Sequence, residues 1–284
     1  MNKKLLAPFG LKWNPFNEDV PIEALLETPR IKVFCQTAVQ FLTQVGGFVS
    51  VTGVSGLGKS VVLRILSARF HALPEVVVGE FTRPSSNVAD FYRELGDVFG
   101  VPLRPHNRWG GFKALRDRWE AHIASSLFRP VLLIDEAQDV HPAVLNELRL
   151  MSSTRLDSRQ ILAVVFAGDT RFPERLRQDA LVPLGSRLRK RLILENYAPK
   201  ELLDLLTHML RMAGNSSLMT KELMMILCEH SMGNPRVLMN TAAELLNAAA
   251  ERELPTLDEK LFLEHVSAQQ PGGSKTQKQR SARK

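Results

Sequence analysis

Cysteine is nearly absent from this sequence. The two that occur, Cys35 and Cys228, lie almost two hundred residues apart and show no CxxC spacing. That excludes a disulfide framework and a thiolate zinc site, and points to reduced thiols on apolar helix faces in a cytoplasmic setting. Long apolar runs are missing as well: no stretch reaches the ~18 residues a membrane span needs. Met1 to Pro8 carries Lys3 and Lys4 but no apolar core of signal-peptide length, so neither export nor membrane anchoring is expected. The histidines His106, His122, His141, His208, His230 and His265 have no metal-ligand spacing. Ser55 and Ser60 have no His and Asp companions in a hydrolase elbow, which removes serine-hydrolase chemistry.

Acidic residues are outnumbered, 30 Asp plus Glu against 37 Lys plus Arg, for a net charge of +7. Much of the excess lies in the tail, where Lys275, Lys278, Arg280, Arg283 and Lys284 have no acidic neighbour. A basic balance suits a polyanion partner, yet many basic proteins bind none. What is plentiful is core-forming material: 44% hydrophobic and 24% charged over 284 residues, enough for one large folded domain or two modest ones.

Short apolar runs alternate with helical periodicity along the first two thirds. Phe48 to Thr52, Val76 to Phe81, Val131 to Ile134, Ile161 to Ala167 and Arg191 to Leu194 read as strands. Helices are expected over Thr28 to Val45, Ser60 to Phe70, Asn87 to Phe99, Trp109 to Leu127 and Pro142 to Ser152. Apolar strands alternating with helices predict a doubly wound parallel five-stranded α/β sheet covered on both faces. After Pro199 only helical patterns follow, with short connections such as Gly233-Asn234-Pro235, which predicts a smaller helical lid. Methionines cluster there, among them Met209, Met212, Met224 and Met239, and read as core filling. The expected organisation is an irregular aromatic arm at 1–27, the α/β domain at 28–198, the lid at 199–268 and a disordered basic tail at 269–284.

Gly53-Val54-Ser55-Gly56-Leu57-Gly58-Lys59-Ser60, followed by Val61, matches G-x-x-x-x-G-K-[ST] between an expected strand and an expected helix. Glycines let backbone N–H groups wrap a phosphate at a helix N-terminus. Lys59 suits the β- and γ-phosphates of ATP, and the Ser60 hydroxyl suits Mg2+. Leu132-Leu133-Ile134-Asp135-Glu136-Ala137-Gln138 ends an apolar strand in carboxylates, which places them beside that loop at the carboxyl edge of the sheet. Asp135 is expected to hold the magnesium through water and Glu136 to activate the attacking water, the arrangement of an ATP hydrolase.

The fourth strand ends Ala167-Gly168-Asp169-Thr170. Asp169 or Thr170 could sense the γ-phosphate, or Gly-Asp could simply turn the chain. Gly185-Ser186-Arg187-Leu188-Arg189 offers Arg187, then Arg189, as an arginine finger for a neighbouring subunit, the alternative being a solvated or DNA-facing basic run. Arg236, opening a helix after Gly233-Asn234-Pro235, is placed to reach phosphates in cis or to stand exposed in a first turn.

These motifs in this order, with the arm Phe9-Gly10-Leu11-Lys12-Trp13-Asn14-Pro15-Phe16, Ser186-Arg187-Leu188-Arg189 and Gly233-Asn234-Pro235-Arg236, resemble the ExeA-like AAA+ ATPases over roughly residues 7–266. The family has a secretion-associated branch and a transposon-borne branch similar to the TnsC, TniB and MuB helpers. The basic tail and the lack of a span favour the second. The resemblance implies an ATP-switched ring or filament on double-stranded DNA that directs a DDE-type transposase, and it suggests that the Trp13 to Phe16 arm packs near the adenine. DNA contacts are expected mainly to phosphates. Arg104, Arg108, Lys113, Arg116 and Arg118 around Trp109, with Arg149 and Arg155, are candidates for them, the alternative being a solvated helix face.

Overall fold

The computed structural model describes residues 6–81, 87–102 and 107–269; Arg104, His106 and the tail beyond 269 lie outside the described residues. The chain forms two compact units, one of Glu27–Asn196 and one joining Met1–Leu26 to Tyr197–Lys284.

In the first unit, α1 (Pro29–Gln44) starts at Thr28, whose side chain accepts the Ile31 N–H, an N-cap that satisfies one of the free donors of the first turn. Strand β1 (Gly47–Thr52) leads through the glycine-rich loop into α2 (Lys59–His71). Then come β2 (Val78–Phe81), α3 (Val88–Phe99), α4 (Arg108–Ser126) and β3 (Val131–Ile134). Asn87 and Asn107 cap the two helices. Next are α5 (Pro142–Met151), β4 (Ser153–Thr154), β5 (Arg159–Gln160), β6 (Ala163–Gly168), the short α6 (Arg171–Arg175) and α7 (Val182–Gly185), and β7 (Leu188–Ile193).

Five strands pair in the order β2-β3-β6-β1-β7, all parallel. Every residue of the three central strands β3, β6 and β1 is buried, as a sheet covered on both faces requires. Side chains alternate between the faces. Phe48, Leu132, Ile134, Val164 and Phe166 join Leu95, Trp119 and Leu145 of α3, α4 and α5 in one core. Helices α1 and α2 pack on the sheet as well. Burying each large apolar side chain of these layers stabilises the unit by roughly 1.5–3 kcal/mol relative to exposure.

Two details differ from the sequence expectation. The last strand starts at Leu188, before Arg191, because β1 supplies a pairing partner for its basic residues, Val49 lying opposite Lys190. It is an edge strand whose Arg189 and Arg191 face water, the side on which charge is tolerated and discourages further pairing. A two-stranded antiparallel hairpin, β4–β5, also precedes β6. Its turn carries three consecutive non-glycine residues at positive φ, Arg155, Leu156 and Asp157, and such short strands have no periodicity to read.

The second unit contains α8 (Pro199–Ala213), α9 (Lys221–His230), α10 (Pro235–Glu251) and α11 (Glu259–Gln269). The N-terminal arm is grouped with this unit. Leu6, Phe9, Leu11 and Phe16 are buried in one core with Leu206, Leu210, Leu245 and Leu246. The Lys12 N–H donates to the Ala213 carbonyl at 2.9 Å, and the Asn215 side-chain amide to the Phe9 carbonyl at 2.7 Å. Cys35 on α1 and Cys228 on α9 are buried free thiols. Among the described residues no helix is long and apolar enough to cross a membrane.

Candidate active site

Parallel pairing sets the strand ends flush. Thr52 lies opposite Gly168, and Ile134 opposite Phe166. The segments after β1, β3 and β6 therefore emerge together along the carboxyl edge of the sheet, where ligands bind in this architecture.

After β1 the chain turns through Gly56 at φ +88° and Gly58 at φ +93°, a left-handed region that favours glycine. Gly53 serves closeness: a Cβ there would stand 2.7 Å from the Leu194 carbonyl oxygen. Leu57 is buried and anchors the loop, whereas Val54 and Ser55 are exposed; Gly56 and Val61 are half-buried. Lys59 starts α2, is 7% exposed, and its Nζ donates to the Gly53 and Val54 carbonyls at 3.1 and 3.2 Å. The ammonium is thus held across the mouth of the loop.

Ser60 donates its hydroxyl to Asp135 Oδ2 at 2.7 Å, while Asp135 Oδ1 accepts the Glu136 N–H at 2.9 Å. One hydroxyl and one carboxylate form a hard-oxygen pair of the kind Mg2+ takes when substrate phosphates and waters complete its shell. No cluster of three His, Cys, Asp or Glu that could hold a metal occurs among the described residues. Glu136 is exposed and sits at φ +49°, a left-handed backbone that costs an L-residue energy and tends to mark functional positions.

Asp169 is half-buried at the end of β6. Burial alone would raise its carboxyl. Hydrogen bonds from the Arg171 side chain and backbone, with the Arg171 and Lys59 charges, outweigh it and hold the group below the ordinary carboxylate range. The carboxylate accepts the Arg171 N–H and Nε, each at 2.8 Å, so it opens α6 and faces the site at once. Thr170 is exposed beside it and makes no side-chain cap.

The remaining expected residues are dispersed. Arg187 is engaged within its own unit, its guanidinium donating to Asp157 of the β4–β5 turn at 2.5 Å, with the side chain 24% exposed. Arg189 is exposed on β7. Arg236 is exposed at the start of α10 in the helical unit, where its N–H meets Asn234 Oδ1 at 3.0 Å. Of the DNA candidates, Arg108 is paired with the buried Glu147, which also accepts the Tyr92 hydroxyl at 2.6 Å. Arg108 itself stays exposed, its side chain 65% accessible while it pairs with that carboxylate. Arg116 lies over the Phe112 ring at 5.1 Å, and Lys113, Arg118 and Arg155 are exposed.

Three contributors carried no signal that sequence reasoning used. Gln138 joins the Glu136 carboxylate to the Asp169 backbone. Arg171 bridges Asp169 and Asp139. Arg175 donates to the carbonyls of Gln138 and Val140 and clamps the turn after β3. The run Asp-Glu-Ala-Gln hinted at the first; the arginines belong to no motif.

A parallel β2-β3-β6-β1-β7 sheet with a glycine-rich loop after β1 and paired carboxylates after β3 is the fold of the P-loop AAA+ proteins. Residues 43–176 match the family described as "AAA domain". The chain is 35% identical over 150 residues to General secretion pathway protein A of Aeromonas hydrophila, a match covering 51% of this chain and 26% of that protein. This chain thus spans about a quarter of that relative's length. Both findings agree with the ExeA-like AAA+ resemblance, and neither bears on its transposition branch. Among solved structures the chain is similar to the Aeropyrum pernix ORC2 protein in its ADP form, with TM-score 0.72, 16% identity and coverage of 91% of this chain and 73% of that one. It is similar to Cdc6p from Pyrobaculum aerophilum at TM-score 0.70 and 12% identity, covering 92% and 72%. For domain III of the Thermotoga maritima replication initiation protein DnaA the values are 0.60, 20%, 89% and 97%. At these identities the likeness is one of fold.

Proposed function

We propose that this chain hydrolyses Mg-ATP with Lys59 on the β- and γ-phosphates, Ser60 and Asp135 at the metal and Glu136 as the base. The loop Gly53 to Ser60, together with Val61, cradles the nucleotide, and Asp169 or Thr170 reads the γ-phosphate. The bound metal supplies charge neutralisation on the phosphate oxygens. Glu136 takes a proton from water as the water oxygen bonds to the γ-phosphorus and the bond to the bridging oxygen breaks, leaving ADP and phosphate. The observation that carries this reading is the 2.7 Å contact between Ser60 and Asp135 beside an exposed Glu136.

Arg187, with Arg189 second, completes a neighbour's site, so ATP occupancy drives self-assembly into a ring or filament. The assembly forms on the phosphate backbone of double-stranded DNA and recruits or activates a DDE-type transposase. Support comes from the net charge of +7 and from fold neighbours that include the Aeropyrum pernix ORC1 protein in complex with DNA. The cytoplasm is the corresponding location. A second reading is favoured by the General secretion pathway protein A similarity: an ATPase that energises assembly of a secretion machine.

The test is ATP hydrolysis with and without long duplex DNA over a range of salt, with Lys59→Ala as blank. Stimulation by DNA that salt removes supports the DNA switch. Turnover blind to DNA at low salt sinks it in favour of the secretion reading.

A further inference from the structure

Gln138 stands two residues after Glu136 in a short 3-10 helix, Ala137–Asp139, and is 6% exposed. Its Nε2 donates to Glu136 Oε2 at 2.5 Å and to Asp139 Oδ2 at 3.2 Å, and its Oε1 accepts the Asp169 N–H at 2.9 Å. The partners dictate the amide orientation, because a flipped group would set its oxygen against two carboxylates and its NH2 against an N–H. Space for it is made on the opposite strand: a Cβ at Gly168 would come within 3.0 Å of Gln138 Oε1. Arg175 holds the turn from behind, donating to the backbone carbonyls of Gln138 and Val140.

An exposed carboxylate on a left-handed backbone has no packing to aim it. A buried amide that binds one of its oxygens fixes the side chain and leaves Oε1 to take a proton. We propose that Gln138 is a positioning residue that orients Glu136 toward the attacking water and ties it to the strand end at Asp169, so that movement at the γ-phosphate-reading end of β6 is felt at the base. The inference rests on the reading of Glu136 as that base. It adds a link that runs through the base itself, beside the Arg171 bridge from Asp169 to Asp139.

The experiment is a double-mutant cycle on the full chain with Mg-ATP, using Gln138→Met, Glu136→Gln and the combination. Single-turnover hydrolysis is read at high enzyme concentration beside the affinity for a fluorescent ATP analogue and the melting temperature. Gln138→Met keeps length and removes all three side-chain hydrogen bonds. It should lower kcat about 10- to 100-fold, the scale of a misaimed reacting group, with nucleotide affinity unchanged. In the Glu136→Gln background the same change should cost less than about twofold, since a residue acting through Glu136 has nothing left to aim. Gln138→Glu, which keeps the length but sets a like charge beside Glu136, should lose at least as much and covers the case of a Met variant that folds poorly. Normal turnover in both Gln138 variants while Glu136→Gln is inactive overturns the inference and spares the reading of the base. An equal loss in both backgrounds overturns it too, whereas an active Glu136→Gln enzyme overturns the reading beneath it.

Discussion

Ser60 Oγ and Asp135 Oδ2 lie 2.7 Å apart although 75 residues separate them in sequence. Two strand ends have been brought together to present one hydroxyl and one carboxylate. Asp135→Ala should leave nucleotide binding measurable in EDTA but raise the Mg2+ concentration needed for half-maximal turnover, on the order of 10-fold, the scale of one lost charge-assisted contact. Lys59→Ala should instead weaken ATP binding itself. Titrating Mg2+ against turnover and against fluorescent-nucleotide binding separates the two, and an unchanged Mg2+ requirement in Asp135→Ala would falsify the metal assignment.

Arg187 is held by Asp157 within its own unit, so a role in a neighbour's site requires that pair to open. Arg187→Ala and Glu136→Gln subunits should each be inactive alone. Mixed, they should recover turnover, because some interfaces then join an intact finger to an intact base. No recovery at any ratio, with both proteins still oligomeric, would remove the finger from Arg187 and turn attention to Arg189.

Phe9 and Phe16 are 3% and 4% exposed in the core of the helical unit. Phe16→Ala should destabilise that unit by about 3–5 kcal/mol, the cost of emptying a buried aromatic site. Hydrogen exchange in α8 to α11 should report it. Protection equal to wild type would mean that the arm only rests on these helices.

The sheet, and the meeting of the glycine-rich loop with the carboxylates at its edge, were legible because each combines a periodic pattern with a sharp local signature. Val131 to Ile134 could be little but a buried strand, and Gly53 to Ser60 little but a tight glycine turn from a strand into a helix. The arm was harder. Its aromatics announced burial, but only a contact such as Lys12 N–H to the Ala213 carbonyl shows where, some two hundred residues away. Arg108 is a surface charge as expected, but its pairing with Glu147, 39 residues downstream, is invisible in one dimension. Gln138 and Arg175 act through hydrogen bonds at spacings that no helical or strand period marks.

Glu147 illustrates the energetic side of that blindness. Its side chain is 5% exposed and its charge is matched by Arg108, with Tyr92 donating to the second oxygen. Arg108→Ala should cost about 1–3 kcal/mol, because it removes one donor from a buried carboxylate while the exposed end of the pair is screened by water, whereas Glu147→Gln should cost clearly less. Equal losses in urea unfolding would show that Glu147 is hydrated after all.

The thiols offer a pH test. Burial pushes Cys35 up to about 12, the Glu27 charge adding to it and Arg69 opposing, and pushes Cys228 up to about 11. In the unfolded chain both would titrate near their ordinary value of 9.0. The folded state therefore favours the neutral thiol. Its contribution is complete below pH 9.0 and is lost as pH rises through about 11 for Cys228 and about 12 for Cys35. At pH 8 the folded protein should resist a maleimide that reacts at once with both cysteines in urea, since the thiolate is the nucleophile. Replacing both by Ala should remove part of the stability loss between pH 9.0 and 12. Rapid native labelling of either residue at pH 8 would contradict its burial and place that helix face at the surface.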